Sequence, residues 1–195
     1  MATALDTSVR YYCESDMDQP ELIDVVEGCL VAYSRKCPGK EEPNDDSAVV
    51  IEAENGAIVM AVADGVGGAP FGYKASAIAL QCLAETVGEH DCDRDLRSAI
   101  LDSIERANAE ILEMGTGAAT TITVVEINHR VARGYQVGDS MALIVGQRGA
   151  IKWKSMSHSP VGYAIESGMI DEDEARFHEG RPVGGTLVGA RGGHI

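Results

Sequence analysis

The chain has 195 residues, enough for one sizeable core and too short for two ordinary domains, and its 45% hydrophobic content argues for a folded globule. Thirty-one acidic against 16 basic residues give a net charge of -15, which repels nucleic-acid backbones and anionic lipid surfaces and suits hard divalent cations. The longest apolar run, 57–63, is far below a membrane span. The first residues carry Asp6, Glu14, Asp16 and Asp18 instead of a basic leader and apolar stretch, so no signal peptide is expected and the cytoplasm is the expected compartment. Cys13, Cys29, Cys37, Cys82 and Cys92 contain no CxxC pair, and reduced thiols are expected rather than a zinc site or disulfide framework.

In chain order, residues 1–28 form an acidic, mixed N-terminal segment in which Leu22, Ile23, Val25 and Val26 fit a strand or a short helix. Residues 30–33 read as a short strand, and Pro38-Gly39-Lys40-Glu41-Glu42-Pro43 as a loop. Two strands are predicted over 47–53 and 57–63, joined through Asn55-Gly56, a strong hairpin signal. The second ends abruptly at Asp64-Gly65-Val66-Gly67-Gly68. Apolar residues at helical spacing predict a helix over 73–88 (Ala77, Leu80, Ala84, Val87). A second is predicted over 94–114 (Leu96, Ile100, Ile104, Ala107, Ile111), with Asp93 as cap. A meander over 119–127, 130–137, 140–146 and 150–154 follows, then a helical stretch over 165–178. Residues 180–195 are glycine-rich and read as loop or disordered tail. Strands in groups with helices grouped between them indicate an α+β fold with antiparallel sheet.

The chemistry concentrates at one predicted sheet end. Asp64 closes a buried strand, and the glycines after it allow a sharp turn and close backbone approach, although Asp-Gly is also an ordinary turn sequence. Asn44-Asp45-Asp46 opens the partner strand. The hairpin therefore brings Asp45 and Asp46 towards Asp64, at strand spacings of about 5 Å. Three carboxylates gathered there repel one another unless a cation neutralises them. Gly138-Asp139-Ser140 by itself is a hairpin turn, and His158 and His178 fit either catalytic or loop roles. The acidic run 171–174 reads as a helix N-terminal cluster.

Taken in order, Asn44-Asp45-Asp46-Ser47, Ala61-Val62-Ala63-Asp64-Gly65-Val66-Gly67-Gly68, Ala119-Thr120-Thr121, Val137-Gly138-Asp139-Ser140 and His158-Ser159-Pro160-Val161 resemble the PPM-type (type 2C) metal-dependent serine/threonine phosphatases. The resemblance runs over about residues 31–189, with 29–179 as the phosphatase-like domain and 180–195 as its tail. It implies a two-sheet antiparallel β-sandwich flanked by helices (αββα), with the family's final strands missing from this chain. It also implies two Mg²⁺ or Mn²⁺ ions bridged by Asp64, with the Gly65 carbonyl and Asp45 as further ligands. Asp46 would act directly or through water, and Asp139 would serve a third, weaker ion. A metal-bridging hydroxide would attack the phosphoserine or phosphothreonine of a protein substrate in line, without a phosphoenzyme; neither nucleic acid nor membrane is an expected partner. The family's phosphate-holding Arg has no counterpart just before the acidic pair; Arg35 and Lys40 are the candidates, and Met141 stands where an Arg often follows Gly-Asp-Ser. The family's two late metal-binding aspartates have no counterpart either, since 180–195 contains no Asp. An impaired, phosphatase-like regulatory or binding module, or a fragment, is the alternative reading.

Overall fold

Nearly continuous apolar runs, packed on both faces, build the two central strands of the main sheet. The computed structural model describes residues 7–26, 28–90, 95–159, 164, 167, 169 and 186–190. Strands β4 (Asp46–Glu52) and β5 (Ile58–Asp64) pair antiparallel over their whole length, with Asp46 opposite Asp64 and Glu52 opposite Ile58. Beyond β5 lie β6 (Ile122–Asn128) and β7 (Val131–Val137), and beyond β4 lies β1 (Ser8–Tyr12), giving a five-stranded antiparallel sheet in the order β1-β4-β5-β6-β7. The sequence reading contains no β1. Only Tyr12 of its five residues is buried, so the strand carries no apolar alternation and is held by backbone pairing with β4.

Helices α1 (Gly72–Glu89) and α2 (Leu96–Glu113) cover one face of this sheet. Val49, Ile51, Val59, Ala61, Ala63, Ile122 and Val124 project from it into a core shared with Leu80 and Leu83 of α1 and Leu96, Ile100, Ile104 and Ile111 of α2. Each fully buried Leu, Ile or Val contributes about 1.5–3 kcal/mol. The small residues Ala75, Ser76 and Ala79 on the buried side of α1 permit close approach to the strands. The cap of α2 is Asp95, whose side chain accepts from the Arg97 amide at 3.1 Å. Asp95 directly precedes Leu96, the first buried residue of the helix, and this decides the boundary; Asp93 lies outside the described residues.

The opposite face of the sheet carries two separate hairpins. In the first, β2 (Glu21–Val25) and β3 (Gly28–Ala32) pack Ile23 against Tyr12 and Val50, with Ala48 and Met60 alongside. In the second, β8 (Leu143–Val145) and β9 (Ile151–Lys154) set the Trp153 ring against Gly134, where a β-carbon would stand 2.8 Å from it. Between the hairpins a groove of about 350 Å³ is lined by Tyr33, Met60, Val62, Val125, Met141 and Leu143. The expected α+β architecture with antiparallel sheets is present, with its second layer built from these two pieces. The strand predicted over 140–146 shortens to Leu143–Val145 because Ser140 is tied back to the main sheet: its hydroxyl lies 2.6 Å from that of Thr121, and its carbonyl accepts from the Thr123 hydroxyl at 3.0 Å.

The helix predicted over 165–178, with the acidic run 171–174 and His178, lies outside the described residues apart from Ser167 and Met169. Within the stretch 180–195 read as loop or disordered tail, residues 186–190 form a loop anchored to the core. Val188 is fully buried and exchanges both backbone hydrogen bonds with Thr120, at 3.0 and 2.9 Å. The Gly189 amide donates to the Asn108 side chain at 2.8 Å. A single buried valine gives no periodicity to read. Val188→Asp is expected to destabilise the protein by about 3 kcal/mol or more, because it sets a carboxylate in an apolar core; urea unfolding followed by far-UV circular dichroism measures it.

Candidate active site

Alternation along β4 and β5 decides which side chains reach the hairpin-bearing face. Asp46 shares parity with Ala48 and Val50, and Asp64 with Met60 and Val62, so the two aspartates stand side by side at one end of the sheet, opposite each other in register. Asp45 is turned by the residue before it. The buried Asn44 donates to the Ser15 carbonyl at 2.8 Å and to the Ser34 hydroxyl at 2.9 Å, while its own side-chain oxygen accepts from the Asp46 amide at 3.2 Å. This is the local turn that Asn forms readily, and it anchors the start of the acidic pair to the N-terminal segment.

The start of α1 locks the other side. The Ser76 hydroxyl donates to the Asp45 carbonyl at 2.6 Å and lies 2.9 Å from the Ser47 hydroxyl. The Gly65 amide donates to the same Asp45 carbonyl at 3.2 Å. A methyl group at Gly65 would collide with the Gly72 carbonyl and stand 2.9 Å from the Asp45 carbonyl oxygen. The glycine is therefore required by the close approach of three backbone segments.

Thr121 joins the third piece to the first two. Its hydroxyl accepts from the Asp64 amide at 3.0 Å, its amide donates to the Asp64 carbonyl at 2.9 Å, and its hydroxyl also meets that of Ser140. Gly138, at φ +105°, packs so tightly that a β-carbon there would stand 2.7 Å from Thr121. The strand-connecting turn is thus pressed against Thr121, and it brings Asp139 within electrostatic reach of Asp64.

The electrostatics record this crowding. Partial dehydration, reinforced by Asp46, Asp139 and Asp45, pushes the Asp64 carboxyl up to about 6. Asp45 is engaged by the Lys40 ammonium. Arg35 is turned towards the N-terminal segment, with Asp16 at 3.4 Å, Asp18 at 3.2 Å and the Met17 carbonyl at 3.1 Å. The structure thus gathers Asp45, Asp46, Asp64, Gly65 and Asp139 around one sheet end, with Lys40 beside them and Arg35 committed elsewhere. The backbone amide of His158 donates to the Gly138 carbonyl at 2.8 Å. Ser76 and Thr121, which hold the site, escape sequence reasoning; the one signal for Thr121 is its position opening a strand after Ala119-Thr120.

Among the described residues no three histidine, cysteine or carboxylate side chains close into a metal cage. The donor set nonetheless fits Mg²⁺ or Mn²⁺. Mg²⁺ characteristically takes one or two carboxylates and keeps several waters, and the pair Asp46–Asp64, with a backbone carbonyl at Gly65 and mutually repelling neighbours, offers such an open site.

Comparison with known proteins bears on the family and the fold. The family model described as protein phosphatase 2C matches residues 35–175. No curated protein sequence is a significant match. Among solved structures, a serine/threonine phosphatase of S. agalactiae is 23% identical, with a TM-score of 0.68 over 94% of this chain and 70% of its own. A PPM Ser-Thr phosphatase of Mycobacterium smegmatis, solved with cacodylate, is 24% identical, with a TM-score of 0.65 over 100% of this chain and 71% of its own. A serine/threonine phosphatase of Staphylococcus aureus is 18% identical, with a TM-score of 0.69 over 97% and 68%. At these identities the likeness to the solved structures is one of fold. The family match extends over most of the chain, and on that ground the protein belongs to the protein phosphatase 2C family of serine/threonine phosphatases.

Proposed function

We propose that the chain hydrolyses phosphoserine and phosphothreonine in proteins using Mg²⁺ or Mn²⁺ held at the Asp64 end of the sheet. The observation that carries this reading is the opposition of Asp46 and Asp64 in register, beside Asp45 and Asp139, with Lys40 the cation paired to this cluster among the described residues. When bound, the ions would lower the pKa of a water and neutralise charge on the transferring phosphoryl group. Asp64 would bridge two ions, Asp45 and the Gly65 carbonyl would complete their protein ligands, and Asp139 would serve a weaker third site. Asp46 would orient the attacking water or hold an ion through water. Lys40 and Arg35 are the residues proposed to meet the substrate phosphate; Lys40 presents a point charge, and Arg35 a planar fork that must first leave Asp16 and Asp18. The free thiols of Cys13, Cys29, Cys37 and Cys82 support a reducing, cytoplasmic setting. The competing reading is a phosphatase-like binding module with impaired catalysis.

Hydrolysis of a phosphothreonine peptide is expected to vanish with a chelator and return with Mn²⁺. A protein that binds Mn²⁺ and the peptide without turnover would instead be the binding module. Asp64→Asn is expected to weaken Mn²⁺ binding at both positions in a calorimetric titration, and equal affinity in the two proteins would remove Asp64 as the bridging ligand.

The titration of Asp64 gives a further expectation for the metal-free protein. Its folded pKa, about 6, lies above the ordinary 3.8, so between those values the folded state holds more proton than the unfolded one and stability falls as pH rises. Asp64→Asn should match the parent near pH 4 and melt a few degrees higher at pH 7, a difference that thermal unfolding across this range reads directly.

A further inference from the structure

Lys40 stands five positions before Asp45, just beyond the turn at Pro38-Gly39, with its own amide donating to the Cys37 carbonyl at 3.2 Å. Its ammonium contacts Asp45 Oδ2 in an ion pair whose side chains are only 28% and 17% exposed. The surface pairs Arg10–Glu21 and Arg35–Asp16 are far more open, near 50%. The two partners differ in freedom. Asp45 is fixed, because its carbonyl accepts from both Ser76 and Gly65 and its Oδ1 would lie 3.2 Å from a β-carbon on Gly72. Lys40 reaches it on a flexible four-carbon stem. The ammonium is therefore the partner that moves.

We propose that Lys40 is a tethered counter-cation for Asp45, which holds the carboxylate while no divalent ion is bound and is displaced when one arrives. This rests on the reading of Asp45 as a ligand. A divalent ion on the Asp45 carboxylate repels an ammonium held against the same oxygen, so loading the site drives the lysine away. The released ammonium is then free beside the cations for a substrate phosphate oxygen. Arg35, the other candidate for that role, is occupied by Asp16 and Asp18. Loading the ion thus readies the phosphate-binding lysine, and the apparent ion affinity is reduced by the cost of parting the pair.

Two measurements test the proposal. In calorimetric titrations with Mn²⁺, Lys40→Met should bind about fivefold more tightly than the parent, the effect of removing a partly buried charged contact. Lys36→Met, the same charge change on an exposed neighbour, should leave affinity unaltered, and Lys40→Arg should bind no more tightly than the parent. In the unsubstituted protein, reductive methylation read by peptide mass spectrometry should find Lys40 protected without Mg²⁺ and several-fold more reactive with it, while Lys36 and Lys74 stay constant. Unchanged affinity in Lys40→Met together with Mg²⁺-insensitive methylation would overturn the proposal. If Mn²⁺ binding nevertheless depends on Asp64 in that case, the metal reading stands and only the role of Lys40 falls. Absence of Mn²⁺ binding in both the parent and Lys40→Met would overturn both.

Discussion

The pairing of β4 with β5 is the constraint on which the rest of this molecule depends. Seven consecutive residue pairs set the register from Asp46–Asp64 to Glu52–Ile58, and a slip of one residue would turn Val49, Ile51, Val59 and Ala61 out of the helix-facing core. The burial of those side chains thus holds two carboxylates together at the sheet end, against their mutual repulsion. Stability of the core and strain at the site are two consequences of one register.

Around that register the protein fixes backbone before it fixes charge. Ser76 and the Gly65 amide share the Asp45 carbonyl, Thr121 takes both backbone groups of Asp64, and Asn44 ties the acidic pair to the N-terminal segment. Each contact satisfies a polar group that would be costly to leave unpaired at the core boundary. Among the described residues, the carboxylates repel one another with only the Lys40 ion pair to offset them. This combination, a rigid scaffold beneath under-neutralised acids, is what a site needs if binding energy is to come from the cation.

Among the described residues, the second layer is smaller than the first. Two short hairpins stand on the outer face of the sheet with an apolar groove between them, and β8 exposes Leu143, Ile144 and Val145. The S. agalactiae structure is longer, this chain corresponding to 70% of it. The covered face of the sheet, with its two helices, buries the larger cluster, and it is this face that secures the register under the site.

Much of this was legible from residue order alone. The Val- and Ile-rich and nearly all-apolar runs on either side of Asn55-Gly56 give the β4–β5 hairpin, the spacing of Leu96, Ile100, Ile104, Ala107 and Ile111 gives α2 and its buried side, and five short motifs in order give the family, because each rests on local composition, periodicity or fixed residue types. β1 and the docking of Val188 were not legible, since an edge strand with one buried residue and a single anchoring valine leave no pattern in the chain. Nor were Ser76 and Thr121 as supports of the aspartates, or the diversion of Arg35 to Asp16 and Asp18, because these depend on partners 31, 57, 19 and 17 positions away. The sequence by itself determined which acids would meet, through one hairpin that sets the start of β4 beside the end of β5. Only the tertiary structure decided what holds them and which cation answers them, because those contacts are made by side chains that folding, and not chain proximity, brings within hydrogen-bonding distance.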